Sequence, residues 1–213
     1  MKQKLLAVAQ AVLTALTVLS GAIALPILFR PFFYWHIEPM ELTKLAGISG
    51  QQVKDAYNAM MDFCIGLTDT FSTGALPFSE EGMAHFVDVK KLFVLDLRVL
   101  ACGLVLLGAV ALLRRKAPKK LLGHTPGFWG AVGLAAVFLV IGGLAALDFD
   151  RAFVVFHQLF FPGKSNWIFD GRTDPIIYML PAEFFRNCAL LILAGILVSC
   201  GALIWWDRRK QKT

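Results

Sequence analysis

The chain has 213 residues, of which 57% are hydrophobic and only 17% charged, with a formal net charge of +6. Soluble domains carry roughly 25% charged and about 45 to 50% apolar residues, so this composition excludes an ordinary water-soluble domain and points to a membrane protein. In that setting the basic excess is first a topology signal, and nucleic-acid binding is the weaker explanation for it.

In chain order, residues 5 to 29 carry no charge, a run longer than the roughly 20 residues a helix needs to cross about 30 Å of hydrocarbon. The run begins after the basic "MKQK" and contains "AIALP", which gives it a signal-peptide look. It is nevertheless far longer than a signal h-region of about 7 to 15 residues. The aromatic cluster "RPFFYWH" that follows suits a retained helix anchored at the headgroups. Within 30 to 91, Ser49 reads as the N-cap of an amphipathic helix with Val53, Tyr57, Met60 and Met61 on one face, either lying on the membrane or packed within a cap. Gly74 and Pro77 predict a turn. Ser79, Glu80 and Glu81 then predict a second helix start, whose acids suit the positive end of the dipole. That helix leads into a span at 92 to 113, interrupted by Asp96 and Arg98. Two more spans are predicted at 125 to 147 and 187 to 206, separated by a connection at 148 to 182. The expected architecture is an all-α integral membrane protein, one domain over 1 to 213, with four transmembrane helices and an extracytoplasmic cap.

Under this arrangement "MKQK", "LLRRKAPKKLLGH" and "DRRKQKT" share one side, and together they hold eleven Lys or Arg against the single acid Asp207. Positive charge marks the cytoplasmic side. Both termini are therefore expected inside, with 30 to 91 and 148 to 182 outside, in a multi-pass membrane protein.

Cys102, Cys188 and Cys200 fall in predicted spans and only Cys64 lies in an outer connection, so no outside pair is available for a disulfide; each reads as a small core residue. The chain has no G-x-S-x-G, Walker, dinucleotide, H-E-x-x-H or C-x-x-C motif. Position 90, where the His-x4-Asp acyltransferase pattern would place its aspartate, is Lys90. Serine hydrolase and zinc protease chemistry lose support.

The histidines carry more information. His124 borders the cytoplasmic loop, His36 belongs to the aromatic belt, and His85 and His157 lie outside near the membrane surface. A lone histidine on an apolar face is usually a satisfied structural group. Two at one depth favour chemistry, because imidazole titrates near neutral pH. Asp88, three residues after His85, either fixes that imidazole or is a boundary charge with Lys90 and Lys91; the two lysines are expected to contact headgroups. Asp96 and Arg98 are costly inside a span unless paired or facing a cavity. Asp148, Asp150, Arg151, Glu183 and Arg186 at neighbouring span ends are natural partners, which predicts a polar cavity toward the outer leaflet.

"HFVDVKKL" followed, two spans later, by "FHQLFFPGKSNWIFDGRTDPIIYMLPAEFF" resembles the DUF1461 family of small bacterial integral membrane proteins, which includes lipoprotein intramolecular transacylase. The similarity extends over essentially the whole chain. It implies transfer of the sn-2 acyl chain of a diacylglyceryl lipoprotein to the α-amino group of its N-terminal cysteine, giving the lyso form. It places the two catalytic histidines on His85 and His157, with no metal or cofactor. The expected partners are the diacylglyceryl lipoprotein of the outer leaflet and membrane lipids.

Supporting roles are open for three residues. Trp167 either covers the acyl chain or anchors at the interface, Asp174 is a turn residue or a partner for His157 or a cation, and Tyr178 either donates to a carbonyl oxygen or sits at the interface. Two rival readings are a membrane metal-binding protein or metallohydrolase using His85, Asp88 and His157, and a non-enzymatic sensor or transport accessory.

Overall fold

The computed structural model describes residues 2–113 and 120–212. Four of its helices are long and apolar enough to cross a membrane: α1 (Lys2–Leu28), α5 (Glu80–Leu112), α6 (Pro126–Leu147) and α8 (Ala182–Lys212). The shorter elements are α2 (Pro31–Tyr34), α3 (Leu42–Ala46), α4 (Gly50–Cys64), α7 (Phe149–Phe160) and a 3-10 turn at Pro175–Met179. The four expected spans all appear, and α5 and α8 extend well beyond them. At about 1.5 Å per residue, the 33 residues of α5 reach about 50 Å. Only its last twenty or so are needed for a crossing, so Glu80 to Lys91 precede the span. Of the basic loop expected on the inside, residues 114–119 lie outside the described residues.

The chain forms two compact units. The first comprises Met1–Leu25, Asp96–Ala146 and Leu190–Thr213. Its core is Ala22, Ala131, Leu134, Ile196 and Cys200, while Leu104, Val105, Val140 and Leu144 are exposed. Large apolar side chains turned outward suit lipid. Small residues bring backbones together: a Cβ on Gly130 would meet the carbonyl oxygen of Ala11, and one on Gly103 would meet Thr17. Thr14 and Thr17 satisfy their hydroxyls on the carbonyls of Gln10 and Leu13, each at 2.8 Å. Asp207, 1% exposed, accepts from the backbone N–H of Thr125 at 2.8 Å and lies 2.6 Å from His124 Nδ1. His124 is thereby a structural tie between the start of α6 and the end of α8.

The second unit comprises Pro26–Leu95 and Leu147–Ala189. Its α4 starts as expected: Ser49 Oγ accepts from Gln52 N, and Gln52 Oε1 accepts from Ser49 N, a reciprocal capping box. Val53, Tyr57, Met60 and Met61 are all buried, so the apolar face of α4 packs within the unit and not on a membrane. Phe33 lies flat on Tyr57 with ring centroids 3.7 Å apart, and Phe184 meets Phe33 edge-on at 5.3 Å. The aromatic run after α1 is thus partly core, although Trp35 is exposed. Arg30 holds it from one side, donating to Asn58 at 3.2 Å and pairing with Asp62. Gly74 has a φ of +63°, and a Cβ there would sit 3.1 Å from the backbone of Ala56; a turn pressed against α4 demands glycine.

Candidate active site

His85 sits on the second turn of α5, whose entry is fixed by two side chains. Ser79 Oγ accepts from Gly82 N at 2.9 Å, and Asp174 Oδ1 accepts from Ser79 N at 2.8 Å from 95 residues away. Both satisfy N–H groups that a helix start leaves orphaned, and a carboxylate suits that end of the dipole. Asp174 is 3% exposed, and its second oxygen accepts from the Thr173 hydroxyl at 2.7 Å. A Cβ at position 82 would run into this carboxylate, so Gly82 is the residue that lets Asp174 approach. Asp174 thus caps the start of α5, and its recorded side-chain partners are Ser79 and Thr173 and not His157.

His157 comes from α7, an element unforeseen as a helix from its apolar run. Asp148 caps it by accepting from Arg151 N at 2.9 Å. His157 is the buried residue of α7, whereas Val155, Phe156, Leu159 and Phe160 are exposed. The imidazole is therefore on the protein side of an otherwise outward-facing apolar helix.

The fold brings the two imidazoles together. Their ring centroids lie 6.0 Å apart at 31°, and they are 6% and 7% exposed. Phe161 contacts both, at 4.9 Å from His85 and 5.7 Å from His157. Phe169 meets His85 edge-on at 5.5 Å, and Trp167 stacks on His157 at 4.6 Å. His157 Nδ1 lies 2.8 Å from the carbonyl oxygen of Phe153. A carbonyl can only accept, so Nδ1 carries the proton and Nε2 of the neutral ring keeps its lone pair. His85 Nδ1 is enclosed with no partner among the described residues. Burial, the neighbouring His157 and Lys164 together outweigh the opposing Asp88 carboxylate and push His85 down to about 4. Burial also lowers His157, against the Phe153 hydrogen bond. Both rings are thus held neutral at ordinary pH.

Asp88 reaches outward from the next turn of α5. It accepts from Lys91 Nζ at 3.0 Å and pairs with Lys164, and it makes no hydrogen bond to His85. The lysine contacts, against the cost of burial, hold its carboxyl below the usual range. Lys164 in turn supplies the carbonyl that accepts the Trp167 indole N–H at 3.1 Å. A closed chain of contacts therefore runs from His85 along α5 to Asp88, Lys164, Trp167 and His157. Lys164 was not singled out in sequence; a lysine in a Pro-Gly-Lys turn carries no signal until its partner is known. Lys90, expected at headgroups, instead donates to the carbonyl of Thr68 at 2.9 Å and lies over the Phe63 ring. Lys91 is taken by Asp88. Tyr178 is exposed and packs on Gly171.

His36 is a structural histidine. His36 Nδ1 lies 2.6 Å from the Phe32 carbonyl, and its Nε2 is 3.1 Å from Asn187 Nδ2, so both ring nitrogens are occupied. The charged span ends form a cleft of about 320 Å³ lined by Asp148, Asp150, Glu183 and Arg186 among others, with Arg186 paired to Glu183 at 3.0 Å.

A family model described as "Lipoprotein intramolecular transacylase Lit" matches residues 8–185. The chain belongs to this family. The membrane-integral Lit from Bacillus cereus, solved in meso, superposes with a TM-score of 0.85 at 27% identity, covering 99% of this chain and 98% of that one. Two further structures of the B. cereus protein, one with a histidine replaced by arginine and one with a histidine replaced by alanine, each give a TM-score of 0.79 at 25% identity. They cover 99% of this chain and 94% and 96% of theirs, respectively. A sequence search of curated proteins finds no match.

As a Lit-family protein, the chain is a multi-pass membrane protein of the transacylase class. The rival metal reading loses its ligand set: both oxygens of Asp88 are engaged by lysines. Among the described residues, no group of three or more His, Cys, Asp or Glu side chains could hold a metal ion.

Proposed function

We propose that this chain converts a diacylglyceryl lipoprotein to its lyso form by moving the sn-2 acyl chain to the α-amino group of the N-terminal cysteine, with His85 and His157 as the proton-transfer groups. The observation that carries this is the pair of buried imidazoles 6.0 Å apart, one of them with its tautomer fixed. His157 Nε2 takes a proton as the amine attacks the ester carbonyl. The carbon–nitrogen bond forms, the proton taken by His157 passes to His85, and His85 delivers it to the departing glyceryl oxygen as the carbon–oxygen bond breaks. Both rings end neutral, so one proton leaves nitrogen, one reaches oxygen, and nothing is oxidised or reduced. Ester and amine belong to one molecule, so orientation supplies much of the rate; well-aligned intramolecular reactions reach effective molarities of roughly 10⁵ to 10⁸ M.

The site faces the extracytoplasmic side with both termini in the cytoplasm, a reading supported by the eleven basic residues of the three short inner segments. The apolar exposed face of α7 suits an interfacial helix among lipids, which supports a pair lying at the depth of a glyceryl ester. Expression in a bacterium making diacylglyceryl lipoprotein, followed by mass spectrometry of the N-terminal lipopeptide, tests the reading. The wild-type chain should give an N-acyl, monoacylglyceryl cysteine, and His157→Ala should slow its appearance by about 10² to 10⁴. A second acyl chain still on glycerol, with wild-type protein present in the membrane, would refute the assignment.

A further inference from the structure

In the unit that holds both imidazoles, two enclosed side-chain polar atoms have no hydrogen-bond partner among the described residues: His85 Nδ1 and Asn166 Oδ1. Buried polar atoms without partners are few in native proteins, because each forfeits its contacts with water. His85 already has a reason to be unpaired. Asn166 has none within the fold.

Its surroundings are well built. Asn166 belongs to the segment whose rings line the pair, through Phe161 on both imidazoles, Trp167 on His157 and Phe169 on His85. That segment is pinned by Lys164 N to Phe161 O at 3.1 Å, Ile168 N to Ser165 O at 3.0 Å, and the Lys164–Asp88 ion pair. The turn satisfies itself and leaves the amide oxygen unused. An amide oxygen accepts only, so its missing partner is an N–H or O–H group. Among the reacting groups of a diacylglyceryl cysteine, the ester oxygens are acceptors, and the α-amino group is the donor.

We propose that Asn166 is a substrate-binding residue whose Oδ1 accepts a hydrogen bond from the acceptor α-amino group, while the same nitrogen presents its other hydrogen to His157 Nε2. Resting on the transacylase reading, this assignment completes the valence of a neutral amine: one hydrogen on Asn166, one on His157, and the lone pair directed at the ester carbonyl. A neutral amide also suits the task better than a carboxylate, which would favour the unreactive ammonium form.

The test uses the purified full chain in detergent, a synthetic diacylglyceryl lipopeptide, initial rates across pH, and thermal unfolding. Asn166→Leu keeps the approximate shape without the oxygen. Its rate should fall by roughly tenfold or more, while its Tm stays level or rises because an unsatisfied buried acceptor is gone. Asn166→Asp should displace the acid limb of the pH–rate profile toward higher pH. Asn166→Leu at the wild-type rate, a rate loss accounted for by a lowered Tm, or an unmoved profile in Asn166→Asp would each overturn the proposal. An inactive wild-type chain would instead overturn the transacylase reading, and this assignment with it.

Discussion

A neutral imidazole is the useful form for taking a proton from an amine, and burial keeps both rings in that form. Below about pH 7.7 to 8.0 the neutral fraction of an α-amino group falls tenfold per unit. Imidazoles of ordinary pKa would add a second tenfold loss per unit below about 6.5. With His85 at about 4 and His157 also lowered, the logarithm of the rate should fall with a slope of one below about pH 7.5, and the steepening toward a slope of two should come at a pH below about 6.5. Steepening at or above about pH 6.5 would show that the rings are not held neutral. Stability carries the matching sign. Unfolded histidine gains a proton below about 6.5 while folded His85 does so only near 4, so His85 makes the fold less stable as pH falls through that window and has no effect above it.

At the scale of elements, the site depends on how α5 begins and how the segment after α7 is tied. Asp174 and Ser79 define the start of α5, and Gly82 makes room for them. Asp174→Ala strands the Ser79 N–H and should cost about 1 to 3 kcal/mol of stability, seen as a lower thermal midpoint in detergent; an unchanged midpoint would show that the cap is dispensable. The tie on the other side is the Asp88–Lys164 pair with the Trp167 hydrogen bond to the Lys164 carbonyl. Sequence spacing correctly placed Asp88 one turn from His85. It could not show that the carboxylate is turned toward lysines, because one of those lysines arrives from a segment 76 residues away.

Across the whole molecule, length and apolarity set the number of spans, and the charge bias is the ground for the proposed direction. A reporter active only in the cytoplasm should function when fused after Lys212, and one active only outside should function when inserted at Gly47, an exposed residue with no neighbour crowding its Cα. The opposite pattern would invert the assigned topology. The family model spans residues 8–185, and the match to B. cereus Lit covers 99% of this chain.

The sequence by itself determined the four spans, the α4 helix with its Ser49 cap, the start of α5 at Ser79, and the prominence of His85 and His157. Each of these follows from local rules: uncharged length, capping chemistry, helical periodicity, and the rarity of imidazole in an apolar run. Only the tertiary structure separated the histidines tied to other elements from the two whose rings face each other. His36 has both ring nitrogens engaged and His124 is tied through Nδ1 to Asp207, while His157 keeps a free lone pair and His85 an unpaired nitrogen among the described residues. It alone also showed that Asp174 caps a helix, that Lys90 is tied to a loop, and that Lys164 pairs with Asp88. The physical reason is the same in each case: a polar side chain takes its role from the partner it finds, and these partners lie tens of residues away along the chain.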